Sequence, residues 1–147
     1  MPYEKEKKRN RVVAHFKDGR LLKGHTHDFT PVKDMFHLVS ELDADSGHTY
    51  EVKTADLKAL FFVKILDGRK EYAEKKSFEE VDSSNLRGLS IMVEFYDGEI
   101  LRGKSLGYNK KKKGFFIIPV DPVSNNERIF VVAEAVREVK LGSAAEE

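Results

Sequence analysis

Four consecutive lysines, Lys110, Lys111, Lys112 and Lys113, stand between Tyr108 and the pair Phe115-Phe116, and Gly114 closes the run. Ammonium groups attract phosphates as point charges without reading sequence, and aromatic faces let unpaired bases stack. Tyr108 and Lys110–Lys113 are therefore the candidate contact for single-stranded RNA or DNA. A solvated loop tip flanked by inward-facing core aromatics has the same composition, so the cluster alone does not decide. A second group is His15, His25, His27, His37 and His48, all in the first half of the chain. His25 and His27 are two apart, which puts them on one strand face, and a neighbouring hairpin strand brings His37 alongside. Gathered imidazoles could bind a divalent metal. No carboxylate at a customary spacing completes a set, so no metal site is expected. Gly-rich phosphate loops, framed catalytic carboxylate pairs and a Ser-His-Asp arrangement are not visible. The expectation is a protein that is not an enzyme and uses no cofactor.

Composition narrows the partners. Of 147 residues, 26 are basic and 25 acidic, so bulk charge does not drive nucleic-acid binding and any such contact must be a local patch. Cysteine is absent, which excludes disulfides, thiolate metal sites and a cysteine nucleophile, and suits a reducing compartment. Met1 to Arg11 is charged and lacks the apolar centre of a signal peptide. The apolar runs are too short to span a bilayer as helices. A cytoplasmic protein without a membrane partner is expected.

The elements that must hold these groups follow from an internal repeat. His15-Phe16-Lys17-Asp18-Gly19-Arg20-Leu21-Leu22-Lys23-Gly24 returns 79 residues later as Glu94-Phe95-Tyr96-Asp97-Gly98-Glu99-Ile100-Leu101-Arg102-Gly103. The same offset matches Phe29 to Tyr108, Phe36 to Phe115, Leu38 to Ile117, Tyr50 to Ile129, Val52 to Val131 and Leu60 to Val139, with no gap. Val12, Ala14 and Phe16 alternate as a half-buried strand, and Asp18-Gly19 marks a hairpin. Parity favours a three-residue loop, Lys17 to Gly19, which puts Ala14 opposite Leu22 and needs glycine in the left-handed region at the bulge. The second strand runs to about Phe29, with Gly24 where it must bend or be closely approached. Further strands are expected at Met35 to Val39, Thr49 to Lys53 and Leu60 to Leu66, with one helical turn near Thr54 as its cap. Each repeat near 60 residues buries only ~60% of its unfolded surface, so the copies should pack on each other or on another chain.

The pattern resembles the first motif of the Sm-like family: alternating apolar residues, a polar residue with glycine, a glycine five residues on, then an aromatic. Here it reads Val12, Ala14, Phe16, Asp18-Gly19, Gly24, Phe29 and again Ile91, Val93, Phe95, Asp97-Gly98, Gly103, Tyr108. The resemblance implies a small five-stranded β-barrel for each repeat. RNA-binding members carry an acidic or polar residue after the aromatic and then a Met-Asn pair. Asn109 and Thr30 stand at the first position, but Lys33-Asp34 and Lys112-Lys113 replace the pair. The arginine-glycine turn of the family's second motif is replaced by Thr54-Ala55-Asp56 and Ala133-Glu134-Ala135. More loosely, Arg69 with Asp82-Ser83-Ser84-Asn85-Leu86-Arg87-Gly88 resembles the cyclic-dinucleotide-binding PilZ family, although its glycine falls one residue late and its second arginine is missing.

The expected architecture is all-β, two tandem five-stranded Sm-like small β-barrels at residues 10–66 and 89–141. A charged linker at 67–88 joins them, with helix-forming residues and the pairs Lys70/Glu74 and Glu71/Lys75. The expected function is a binding or adaptor module for single-stranded nucleic acid. The alternatives are a protein-interaction or self-association module working through exposed strand edges, and a cyclic-dinucleotide sensor.

Overall fold

The computed structural model describes residues 10–42, 44–66, 78, 88–105, 107–121 and 124–146. The basic arm before Asn10, Arg69 and the Asp82–Arg87 loop lie outside the described residues, as does the linker apart from Phe78 and Gly88. The first repeat contains β1 (Asn10–Phe16), β2 (Leu21–Thr26), β3 (Met35–Ser40), β4 (Thr49–Lys53) and β5 (Leu57–Val63). The second contains β6 (Leu89–Phe95), β7 (Ile100–Ser105), β8 (Gly114–Pro119), β9 (Asn126–Val132) and β10 (Val136–Leu141). Among the described residues there is no α-helix, and so none long and apolar enough to cross a membrane.

The first hairpin has the bulged three-residue loop that parity selects. Ala14 lies opposite Leu22, the Phe16 amide donates to the Arg20 carbonyl at 2.9 Å, and Gly19 has φ +92°. The second hairpin repeats this with Val93 opposite Leu101 and Gly98 at φ +93°. Asp18 and Asp97 brace the turns by accepting from the Arg20 and Glu99 amides at 3.0 and 2.9 Å. Gly24 and Gly103 serve close approach. A Cβ there would lie 2.0 Å from the Val39 carbonyl oxygen and 2.1 Å from that of Ile118.

Three local expectations shift. β2 ends at Thr26, because the Thr26 hydroxyl donates to the His37 carbonyl at 2.7 Å and the chain turns through Asp28 instead of continuing to Phe29. β5 begins at Leu57, because the helical turn is a single 3-10 turn, Thr54–Asp56. Lys53 stands at the N-cap position without a side-chain cap hydrogen bond, and the Thr54 hydroxyl donates to the Lys33 carbonyl at 3.3 Å.

The strands form one antiparallel sheet in the order β10-β6-β7-β8-β9-β5-β1-β2-β3-β4. Each repeat contributes its strands in the same internal order, fifth-first-second-third-fourth. Among the described residues the sheet does not close: β4 and β10 each have one neighbour. The repeats are joined at β5 and β9, in the register Ala59↔Val131, Leu60↔Phe130 and Phe61↔Ile129. This is why β5 is apolar without alternation from Ala59 to Val63, since both its faces are buried. Each core draws on both repeats. Val13, Ala59, Phe61 and Val63 enter the core built on Ile91, Val93, Phe95, Ile117 and Val131. Phe130 and Val132 enter the other, with Val12, Phe36, Leu38, Val52, Leu60 and Phe62. Sharing side chains this way offsets the poor surface-to-volume ratio of each small unit.

Candidate nucleic-acid interface at the seam

The lysine run forms the turn between β7 and β8. Asn109 shapes it: its side-chain oxygen accepts from the Lys111 amide at 2.9 Å, and its carbonyl accepts from the Lys112 amide at 3.0 Å. Lys110, Lys111, Lys112 and Lys113 are all exposed. Lys113 reaches across to the first repeat, its Nζ 2.9 Å from Asp34 Oδ1. That hydrogen bond lowers the Asp34 pKa and raises that of Lys113. The two residues are 79 apart, so they occupy the same place in their repeats. Tyr108 is half-buried, meets Phe115 edge to face at 4.8 Å, and lines a surface cleft together with Lys110.

The tertiary structure adds Arg128, from β9. Its guanidinium lies 4.2 Å from the centre of the Phe62 ring and 4.9 Å from that of Phe116, one aromatic from each repeat. It borders an apolar cleft of about 370 Å³ whose lining includes Pro31, Lys112, Gly114, Phe116 and Phe130. A second cleft of about 350 Å³ shares Pro31 and is edged by Lys33, Lys53, Lys113, Asp34 and Glu134. Basic groups thus ring two apolar hollows along the seam, with only two acidic residues among the lining. Gly114 permits this shape: a Cβ there would lie 2.4 Å from the Phe130 ring. Arg128 escaped the sequence reading because its counterpart is Thr49 and it sits alone in a strand.

The histidines divide into separate pairs. His25 Nδ1 is 3.0 Å from Glu41 Oε2, and His37 Nδ1 is 2.7 Å from Asp28 Oδ2. His25 and His27 have ring centres 5.5 Å apart, but His27 lies past the end of β2, and His37 is held by Asp28 instead of joining them. Among the described residues no group of three or more His, Asp or Glu side chains is placed to hold a metal ion.

A second polar group clamps the other side of the seam. Lys58 of β5 is buried, lies 2.7 Å from Asp97, bonds Glu99, and sits 4.7 Å from the centre of the Phe95 ring. Burial opposes its charge, yet the hydrogen bonds it donates to Asp97 and Glu99 outweigh this and raise its pKa. A lysine nucleophile needs the reverse shift, so Lys58 acts as a fixed cation joining the repeats. Lys17 and Glu134 add a peripheral bridge at 3.1 Å.

Residues 8–143 match the profile of a family of unknown function, DUF6982. No curated protein and no solved structure matches the chain.

Proposed function

The chain belongs to the DUF6982 family, whose function is unknown, and we propose that it is a non-enzymatic binding module that holds single-stranded RNA or DNA along the seam between its repeats. One observation carries this reading: the cations Lys33, Lys53, Lys112, Lys113 and Arg128 border two apolar hollows, and the Arg128 guanidinium lies 4.9 Å from the centre of the Phe116 ring. Phosphates would follow the lysines, and a base would enter the cleft beside Phe116 and Arg128. Lys110 and Lys111 extend the basic edge outward. In this reading each repeat is an Sm-like small β-unit, supported by the strand order that both repeats share. The binding surface belongs to the joint, as neither repeat supplies it alone. The protein would work in the cytoplasm and without a cofactor.

Fluorescence anisotropy with labelled oligo-dT and oligo-U of about ten nucleotides tests this. Binding should weaken as salt rises, with a log–log slope of roughly 0.7 per phosphate neutralised. Arg128→Ala and the pair Lys112→Glu, Lys113→Glu should each weaken it by about tenfold, which corresponds to about 1.4 kcal/mol. Absent binding at low salt, or affinity indifferent to salt, would reject the reading.

A further inference from the structure

The repeat relates the outer edges of the sheet to the strands that pair at its centre. A shift of 79 residues turns β5 into β10 and β9 into β4. A second copy could therefore add head to tail in the central register. Ala59↔Val131, Leu60↔Phe130, Phe61↔Ile129 and Phe62↔Arg128 would become Glu138↔Val52, Val139↔Glu51, Lys140↔Tyr50 and Leu141↔Thr49 between chains. We infer that β4 and β10 are closed to this partner: the edges carry charges placed to stop a second copy from extending the sheet, so assembly ends at two repeats within one chain.

The placement of the charges is selective. At the central joint Ala59 and Phe61 leave the first repeat for the core of the second. Their counterparts on β10 are Glu138 and Lys140, both exposed. Phe130 and Val132 leave the second repeat for the core of the first. Their counterparts on β4 are Glu51 and Lys53, again exposed. Positions that face their own repeat's core stay apolar or aromatic: Leu57 and Leu60 correspond to Val136 and Val139, and Ile129 and Val131 to Tyr50 and Val52. Charge has thus replaced apolar surface where a neighbour would have to accept it. In the shifted register Glu51 would face Val139, and Glu138 would face Val52, so neither would find an opposite charge directly across. Burying unpaired charges costs more than strand pairing returns, and inward-pointing charges are a known guard for sheet edges.

Most seam contacts change in the same sense. Of the two bridges from Lys58, the one to Glu99 would become Arg137 against Arg20, a repulsion, and the one to Asp97 would become Arg137 with Asp18, a carboxylate that Arg20 already holds. Arg137 already pairs with Glu94, and Arg20 with Asp18 at 2.7 Å. Lys17 with Glu134 would become Tyr96 with Ala55, and Arg128 over Phe62 would become Thr49 beside Leu141. Asp34 with Lys113 is self-complementary and would survive, too exposed a pair to hold two chains together.

The test uses the full chain. Size-exclusion chromatography with light scattering should give the mass of one chain across the accessible concentration range. Thr49→Cys with Leu141→Cys places in this cysteine-free chain a pair that would lie opposite in the joint, without touching the four charges. Mild oxidation should give no covalent multimers. Restoring the central residues, Glu51→Phe and Lys53→Val with Glu138→Ala and Lys140→Phe, should produce multimers, and a disulfide ladder when the cysteine pair is present. Multimers of the cysteine variant with its charges intact would overturn the inference. A folded, monomeric four-residue variant would do so as well. If that variant fails to fold, the cysteine pair in the otherwise unchanged chain decides.

Discussion

His15 shows how one side chain couples the repeats to pH. Its ring packs on Phe61 at 4.2 Å. Burial lowers its pKa; Glu99 and Asp97 raise it, while Lys58 and Lys23 lower it further, and burial wins. The folded state therefore prefers the neutral ring. That contribution to stability is complete above the unfolded value of about 6.5 and is lost as pH falls through the lower folded value. Urea melts should show stability dropping from pH 7.5 to 5.5. His15→Phe, which keeps an aromatic against Phe61, should flatten that slope, and an unchanged slope would place its origin elsewhere. Asp97, held down by its hydrogen bond from Lys58, and Asp34, held down by Lys113, add their own losses only at more acid pH.

At the scale of elements, β2 and β7 depend on backbone approach more than on side-chain packing. β2 meets β3 through only two residue pairs, Gly24↔Ser40 and His25↔Val39, and β7 meets β8 through Gly103↔Pro119 and Lys104↔Ile118. A methyl group at Gly24 would fall on the Val39 carbonyl and part the strands. Gly24→Ala and Gly103→Ala should each cost about 2–4 kcal/mol in denaturant melts. Gly107, where an added Cβ meets nothing within 4 Å, is the control and should change stability by less than about 0.5 kcal/mol. Equal effects at all three positions would refute the close-approach account.

The whole molecule should unfold as one unit, because neither core is complete within one repeat. Calorimetry should show a single transition whose calorimetric and van't Hoff enthalpies agree. Phe61→Ala should lower that transition without splitting it, at a cost of about 3–5 kcal/mol. Two resolved transitions would mean that the repeats are independent.

Much of this architecture was legible in the chain because local geometry is a local property. Asp18-Gly19 and Asp97-Gly98 specify their turns through the left-handed glycine, and the alternation from Val12 to Phe16 specifies a half-buried strand. The constant offset made the second repeat predictable from the first. The lysine run was legible as a charged loop, and Asn109 holds it as a turn. Two separate barrels were expected because each repeat has a complete set of five strands, but strand pairing is non-local. Only the tertiary structure joined β5 to β9, and only that joint brought Arg128 to Phe62 and set Lys113 on Asp34. From Ala59 to Val63 β5 is apolar on both faces, and the structure shows why. What lies against its second face is the core of the second repeat, with Ile91, Val93 and Phe95, brought there by pairing with β9 over a distance at which periodicity carries no information.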